Sequence, residues 1–332
     1  MTAYYRPLVQ HEPNRPSGAV SIAGQSLWFT HVEQLTRHEP PEVIAVKDVP
    51  DGALDRLTRP RANIAGLAMD RPHIMGILNA TPDSFSDGGV HNSVSAAQTA
   101  AEQMVSHDAT ILDIGGESTR PGATFVPEDE EIARTRPLIE AIKSRTDALI
   151  SIDTRKSAVA EAAWEAGAGL INDVTGFTFD PQLAPFCAKV GAPVCVMHMQ
   201  GDPATMQDDP TYDDVLLDVY DFLDEQVANL EKLGLERDQI VVDPGIGFGK
   251  TEAHNLALLQ GISLFHGLGC PILLGVSRKE IIGQIGKEPR KDARAPGSIA
   301  VGLAGLSQGV QILRVHDVAE TAQALRLWAA VR

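Results

Sequence analysis

The chain has 332 residues, with 28 basic and 44 acidic side chains, for a formal net charge of −16 at pH 7. This balance excludes a protein that wraps nucleic acid, because neutralising phosphates takes a surplus of Lys and Arg over a whole face; a local basic pocket is still allowed. Hydrophobic residues make up 43% and charged ones 22%, a globular composition, in a chain long enough to bury about 75% of its unfolded surface.

Residues 1–70 form a segment with its own texture. They hold 7 of the 21 prolines and a nearly balanced charge, 7 basic against 8 acidic, and their apolar runs are short and irregular. The opening MTAYYRPLVQ has neither a basic nor an apolar leader region, and no later stretch approaches the roughly 20 apolar residues of a membrane span. A soluble, cytoplasmic protein is expected. Residues 21–35 include Leu27, Trp28, Phe29, Val32 and Leu35, enough apolar surface for a small lobe packed on the rest.

From about Arg71 onward, short apolar runs alternate with amphipathic segments, and residues 71–332 read as one domain. Strands are predicted at 74–78, 111–114, 148–152, 169–171, 194–197, 240–242, 272–276 and 310–315. Continuous Ile, Val and Leu in each point to burial on both faces, as in a parallel sheet. Helices are predicted between and after them at 94–107, 130–145, 157–167, 212–233, 298–308 and 318–328. Eight strand–helix units in about 260 residues fit an α/β fold of the (β/α)8 TIM-barrel type, here with an N-terminal extension. Cys187, Cys195 and Cys270 lack metal-ligand spacing and read as reduced core residues.

Almost every apolar run ends in a side chain able to do chemistry: Asn79, Glu117 with Arg120, Asp153, Asn172, His198, Asp243, Ser277 with Lys279, and Arg314 with His316. A barrel gathers all of these at its C-terminal rim. Arg120 on a Pro-Gly turn suits an anion. Asp153 and Asn172 end successive strands with groups that hydrogen-bond a donor-rich heterocycle. Gly245, Gly247 and Gly249 alternate without the spacing of a dinucleotide fingerprint. Arg314 and His316, two apart on one strand, face the same opening as an anion clamp. No G-x-S-x-G, H-E-x-x-H or Cys/His cluster is present, so triad or zinc hydrolysis is not expected.

The blocks N-A-T-P-D-S-F-S-D-G-G, D-I-G-G-E-S-T-R-P-G, I-S-I-D-T, I-N-D-V-T-G, V-M-H-M-Q-G, D-P-G-I-G-F-G-K, G-V-S-R-K and L-R-V-H-D-V, each after its own strand, resemble the dihydropteroate synthases of the folate pathway. The resemblance runs from about residue 73 to the C-terminus. It implies condensation of 6-hydroxymethyl-7,8-dihydropterin pyrophosphate with 4-aminobenzoate to 7,8-dihydropteroate and pyrophosphate. It further implies that Asn79 helps hold Mg2+, and that Thr119, Arg120, Arg314 and His316 bind the pyrophosphate. Asp153, Asn172, Met197, Asp243 and Lys279 would line the pterin pocket, with Asp153, Asp243, Lys279 and Arg314 carrying the catalysis. Phe85, Pro121, Phe248 and Ser277 would border the 4-aminobenzoate site. The resemblance also implies a homodimer joined through late helices and a family that sulfonamides target, this chain's own sensitivity turning on small differences around Phe85 and Phe248. From the acidic charge and the lack of an apolar span, no nucleic-acid or membrane partner is expected. Ala80 departs from the valine common in the family, and residues 1–70 lie outside its common barrel. Two alternatives stay open at this level: a methyltetrahydrofolate-dependent methyltransferase of the same pterin-binding barrel type, and a silent barrel kept as a scaffold.

Overall fold

The computed structural model describes residues 2–80, 89–118, 124–202 and 205–331, and of residues 89–93 only the backbone. Its centre is an eight-stranded parallel sheet: β6 (His73–Asn79), β7 (Ala109–Gly115), β8 (Leu149–Asp153), β9 (Leu170–Asp173), β10 (Val194–Met197), β11 (Ile240–Asp243), β12 (Leu273–Leu274) and β13 (Ile312–Val315). The strand order β11-β10-β9-β8-β7-β6-β13-β12 is closed into a barrel by a parallel bridge between Val242 and Ile272. Closure removes both sheet edges, and with them the unpaired backbone groups an open edge exposes.

The crossovers are helical: α2 (Gly89–Ser106), α3 (Glu128–Lys143), α4 (Ser157–Ala166), α5 (Leu183–Val190), α6 (Val215–Lys232), α7 (Glu252–Gln260), α8 (Glu280–Ile285), α9 (Ala295–Leu306) and α10 (Val318–Ala330). Their boundaries follow local chemistry. Asp214 caps α6 by accepting from the N–H groups of Leu216 and Leu217, and Thr251 caps α7 through His254 N–H. Gly167 and Gly191 end α4 and α5 in the left-handed conformation. The periodicity did not single out α5, α7 and α8, three short helices of six to nine residues. The seventh barrel strand is shorter than the expected 272–276. Its ladder spans Leu273–Leu274, and beyond it the neighbouring backbone is met by a side chain, the Ser277 hydroxyl taking His316 N–H.

Residues before the barrel fold as a lobe. Strands β1 (Tyr4–Pro7), β4 (His31–Leu35) and β5 (Glu42–Ala45) form an antiparallel sheet, β2 (Val20–Ser21) and β3 (Trp28–Phe29) pair beside it, and α1 (Asp51–Thr58) follows. Ile22, Leu27, Phe29, Val32, Val46 and Leu57 make its core. It docks on the barrel through Tyr4, packed with Leu217 and Leu264, and through polar ties. The Tyr4 hydroxyl donates to Asp221 at 2.9 Å, Arg37 pairs with Asp218 at 2.7 Å and Asp221 at 2.6 Å, and the buried Arg61 donates to the His266 carbonyl at 3.0 Å.

The link between lobe and barrel also closes the barrel floor. Ile64 and Met69 pack against Met75, Ile111, Leu170, Cys195, Val241, Leu273 and Ile312, the first inward side chains of seven strands. The floor therefore begins before the change of texture near Arg71. Cys195 belongs to this floor, and Cys187 and Cys270 are equally buried and unpaired. Truncating Ile64 to Ala leaves a void under the barrel, and a loss of ~2–5 kcal/mol is expected from its denaturant midpoint. Val43→Ala, on the exposed lobe surface, should shift the midpoint by no more than about 0.5 kcal/mol; equal effects of the two would contradict the plug.

Candidate active site

Side chains two apart on a strand share a face, so the floor residues define what lies above them. One step up, the inward positions are Ile77, Asp113, Ser151, Asn172, Met197, Asp243, Gly275 and Arg314; a further step gives Asn79, Gly115, Asp153, Ser277 and His316. The apolar floor thus changes within two residues to a charged interior, at the C-terminal end of the strands where barrel enzymes carry their sites.

Arg314 is the centre of this interior. Its Nε donates to Asp113 Oδ2 at 2.6 Å and one Nη to Asp153 Oδ2 at 2.7 Å. Burial opposes its charge, but the two carboxylates outweigh that and hold the guanidinium above its ordinary range. Asp113 also accepts from the Asn172 amide, with Nδ2 at 3.3 and 3.4 Å from its two oxygens. Burial pushes up the Asp153 carboxyl against the pull of Arg314. Burial likewise raises Asp243, opposed by Lys279 and by the Gly245 N–H, which Asp243 accepts at 2.7 Å. Ser151 Oγ is buried without a hydrogen-bond partner among the described residues.

Lys279 completes the cationic side. Its ammonium donates to the Ile246 carbonyl and lies 4.4 Å from the centre of the Phe248 ring, in a cation–π contact. Burial lowers it to about 8, with Asp243 opposing and Arg314 adding to the shift. The intervening Arg278, at φ 58°, turns outward to pair with Asp317. Ser277 Oγ lies 3.0 Å from both the backbone nitrogen and Nδ1 of His316. Arg314 and His316 therefore share a strand face, but the carboxylates draw Arg314 into the barrel while His316 stays with Ser277 at the rim.

The alternating glycines have a steric reason. Gly245 and Gly249 have φ of 67° and 61°, and a Cβ on them would come within 1.9 Å of the His198 carbonyl oxygen and 2.4 Å of the Gln200 carbonyl oxygen. This close packing aims Phe248 and the Ile246 carbonyl at Lys279. Behind it, Lys250 Nζ lies 2.8 Å from His198 Nδ1 and donates to the Phe248 carbonyl at 3.0 Å. Burial, then Lys250, drives His198 down to about 2, so the imidazole is neutral.

Glu117, a strand-end candidate, faces away from this interior. It pairs with Lys156 at 2.7 Å and Arg155 at 3.0 Å, and Lys156 also reaches Glu131 and the Val126 carbonyl, each at 2.6 Å. This buried network ties the strand ends after β7 and β8 together. Of the site residues expected from the sequence, Asp153, Asn172, Met197, Asp243, Phe248, Ser277, Lys279, Arg314 and His316 gather around one opening, with Asn79 at the end of β6. Phe85, Thr119, Arg120 and Pro121 lie outside the described residues. Asp113, Ser151 and Lys250 were not singled out from the sequence. The available signal for Asp113 was an acid inside an otherwise apolar strand, two residues from Ile111 and two from Gly115.

A barrel whose mouth combines buried carboxylates and an amide with an arginine and a lysine is that of an enzyme handling a polar heterocycle. The chain belongs to the pterin binding enzyme family, whose model matches residues 75–316. Within it the chain falls among the dihydropteroate synthases. It is 46% identical over 261 residues to the dihydropteroate synthase of Escherichia coli (strain K12), covering 79% of this chain and 92% of that protein. The solved dihydropteroate synthase of Yersinia pestis, in complex with a sulfonamide drug, superposes with a TM-score of 0.77 at 44% identity, covering 82% of this chain and 99% of that one. That of Xanthomonas albilineans with 4-aminobenzoic acid gives 0.77 at 45%, covering 82% and 98%.

The position of Lys279 sets a pH dependence. As its charge is lost above about pH 8, kcat/KM should fall there. Stability should move the opposite way: between about pH 8 and the ordinary 10.5 the unfolded chain holds this proton and the folded one does not, so this group makes the fold more stable as pH rises. Lys279→Arg keeps its charge throughout, and its residual kcat/KM should lack the limb near pH 8. A limb unchanged in that variant would assign the titration to another group.

Proposed function

We propose that the chain is a transferase that condenses 6-hydroxymethyl-7,8-dihydropterin pyrophosphate with 4-aminobenzoate, giving 7,8-dihydropteroate and pyrophosphate. The observation that carries this assignment is the pairing of acceptors and cations inside one barrel mouth: Asp153, Asn172 and Asp243 suit the N–H groups of a pterin, and Arg314 and Lys279 suit negative charge. The similarity to dihydropteroate synthases over about four-fifths of the chain agrees with it.

In this reaction the bond between the pterin methylene and the pyrophosphate oxygen breaks, and the amine nitrogen bonds to the methylene and loses one proton. The departing group takes the electron pair, so cations beside it lower the barrier to departure. Arg314 and His316, with Thr119 and Arg120, hold the pyrophosphate; the guanidinium has five N–H donors, and its two carboxylate bonds use only part of them. Asp153 and Asp243 set negative charge beside the cationic carbon that remains, while Asn172, Met197 and Lys279 hold the ring. Phe85, Pro121, Phe248 and Ser277 border the amine's site. An aromatic amine is unprotonated at neutral pH, so no strong base is required.

The described residues fit Mg2+ as a companion of the substrate and not as a caged ion. No cluster of three His, Cys, Asp or Glu side chains that could hold a metal occurs among them, whereas Asn79 offers an amide oxygen at the end of β6. Mg2+ typically takes one or two protein ligands and completes its shell with phosphate oxygens and water. When bound, it would neutralise charge developing on the pyrophosphate. A homodimer through α9 and α10 is part of the same proposal; Ile299, Val301 and Leu303 are only half-buried in apolar α9, and Leu327 of α10 is exposed. A cytoplasmic location completes it, and no helix among the described residues is long and apolar enough to cross a membrane. Methyl transfer from methyltetrahydrofolate, the other reaction considered for such a barrel, has no use for a pyrophosphate clamp.

Incubation with the pterin pyrophosphate, 4-aminobenzoate and Mg2+ should release pyrophosphate in equal amount to dihydropteroate; none released would defeat the assignment. Arg314→Ala should lower kcat by on the order of 100- to 1000-fold, the scale of removing a charge-stabilising donor. Unchanged turnover in that variant would take Arg314 out of the chemistry. Binding of 4-aminobenzoate should be weaker without pyrophosphate and Mg2+ than with them, and equal binding would contradict an ordered sequence in which the pyrophosphate precedes the amine.

A further inference from the structure

Asp113 touches both sides of the pocket, the cation and the amide. It is fully buried on the inward face of β7, where Oδ2 accepts from Arg314 Nε at 2.6 Å and both oxygens lie within 3.4 Å of Asn172 Nδ2. An ionised carboxylate only accepts hydrogen bonds, whereas a side-chain amide donates from one end and accepts at the other. Against Asp113, Asn172 can therefore offer only its NH2 end. The reverse orientation would set a carbonyl oxygen against a carboxylate in a water-poor interior, where an unpaired polar group is costly.

We infer that Asp113 is a positioning residue that sets the donor–acceptor polarity of the pterin pocket, turning the Asn172 carbonyl toward the substrate ring while anchoring the Nε edge of Arg314. The inference rests on the proposed function, because it takes the ring facing Asn172 to be a pterin. The role needs an acceptor at both contacts. An asparagine in place of Asp113 would give its one oxygen to Arg314 and present N–H to Asn172, whose amide would turn over and show a donor to the pocket. The substrate would then meet a donor where it expects an acceptor. A site built for a particular hydrogen bond rejects such a mismatch strongly.

The test is a pair of variants, Asp113→Asn and the double exchange Asp113→Asn with Asn172→Asp, studied by equilibrium binding of the pterin pyrophosphate and by steady-state kinetics. The single variant should bind the pterin pyrophosphate about 10- to 100-fold more weakly, the effect of one mismatched buried hydrogen bond, with the KM for 4-aminobenzoate changed less than about threefold. The double variant keeps the same number of carboxylates in the barrel. In it the amide introduced on β7 still accepts from Arg314 through its oxygen and donates through its NH2 to the carboxylate introduced on β9. The other oxygen of that carboxylate again faces the ring as an acceptor. Binding should return to within about fivefold of the starting protein, a rescue that a purely structural role for Asp113 would not produce.

Unchanged pterin binding in Asp113→Asn would overturn the inference. So would a double variant that binds no better than the single one, or that fails to fold, since the restored pairing is what should hold it. Should the single variant not fold, a folded double variant with near-normal pterin binding would still support the inference. An unaltered protein that neither binds the pterin pyrophosphate nor releases pyrophosphate would instead sink the proposed function, so the two failures are distinguishable.

Discussion

The cation of Arg314, shared between Asp113 and Asp153 inside a closed barrel, is the interaction on which the site depends. Taking a guanidinium and two carboxylates out of water costs several kcal/mol per ion, and mutual attraction offsets this only when geometry is good and the remaining donors and acceptors are met. Here the ion from β13 crosses the interior to partners on β7 and β8, and Asp113 passes the constraint on to Asn172 on β9. Four strands are thereby held in one arrangement at the level of the pocket. Such a cluster adds little net stability, but it fixes which donors and acceptors face a ligand before the ligand arrives, and preorganisation of this kind is what electrostatic catalysis requires.

The same cluster bears on how an acidic protein takes two anionic substrates. A net charge of −16 would repel anions if it were spread evenly. Arg314, held inside the barrel by Asp113 and Asp153, and Lys279, beside Asp243, each already face carboxylates, so what the described cluster offers an anion is oriented N–H donors and not a surplus of positive charge. The glycine-rich turn after β11 serves this electrostatic arrangement by sterics, since only residues lacking a side chain let it lie against the loop after β10 and present its carbonyl and Phe248 to Lys279.

Much of the fold was legible along the chain because its rules are local and periodic. Each buried parallel strand is a continuous apolar run, and almost every one ends in a polar residue, so the barrel, its direction and the polar rim residues Asp153, Asn172, Asp243, Ser277, Lys279, Arg314 and His316 are legible in the pattern, whereas Met197 and Phe248 enter the expected site through the family resemblance. The short helices α5, α7 and α8 span too few turns to build a periodic signal. The N-terminal segment was legible as apolar but not as a floor, because nothing in a run such as Ile64 to Met69 says which open end of a barrel it will cover.

Sequence by itself determined the residue types, their order and their alternation, and hence that Asp153, Asn172, Asp243, Lys279 and Arg314 would meet at one rim. Only the tertiary structure decided what each of them does to its neighbour. Arg314 and His316 share a face by periodicity, but carboxylates on β7 and β8 draw one inward while Ser277 keeps the other at the rim. Asp113 and Arg314 are 201 positions apart, and their bond exists only because barrel closure sets those strands across a common interior. Polarity and period are properties of a segment; pairing, burial and the pKa shifts they cause are properties of distances between segments, which no single stretch of chain contains.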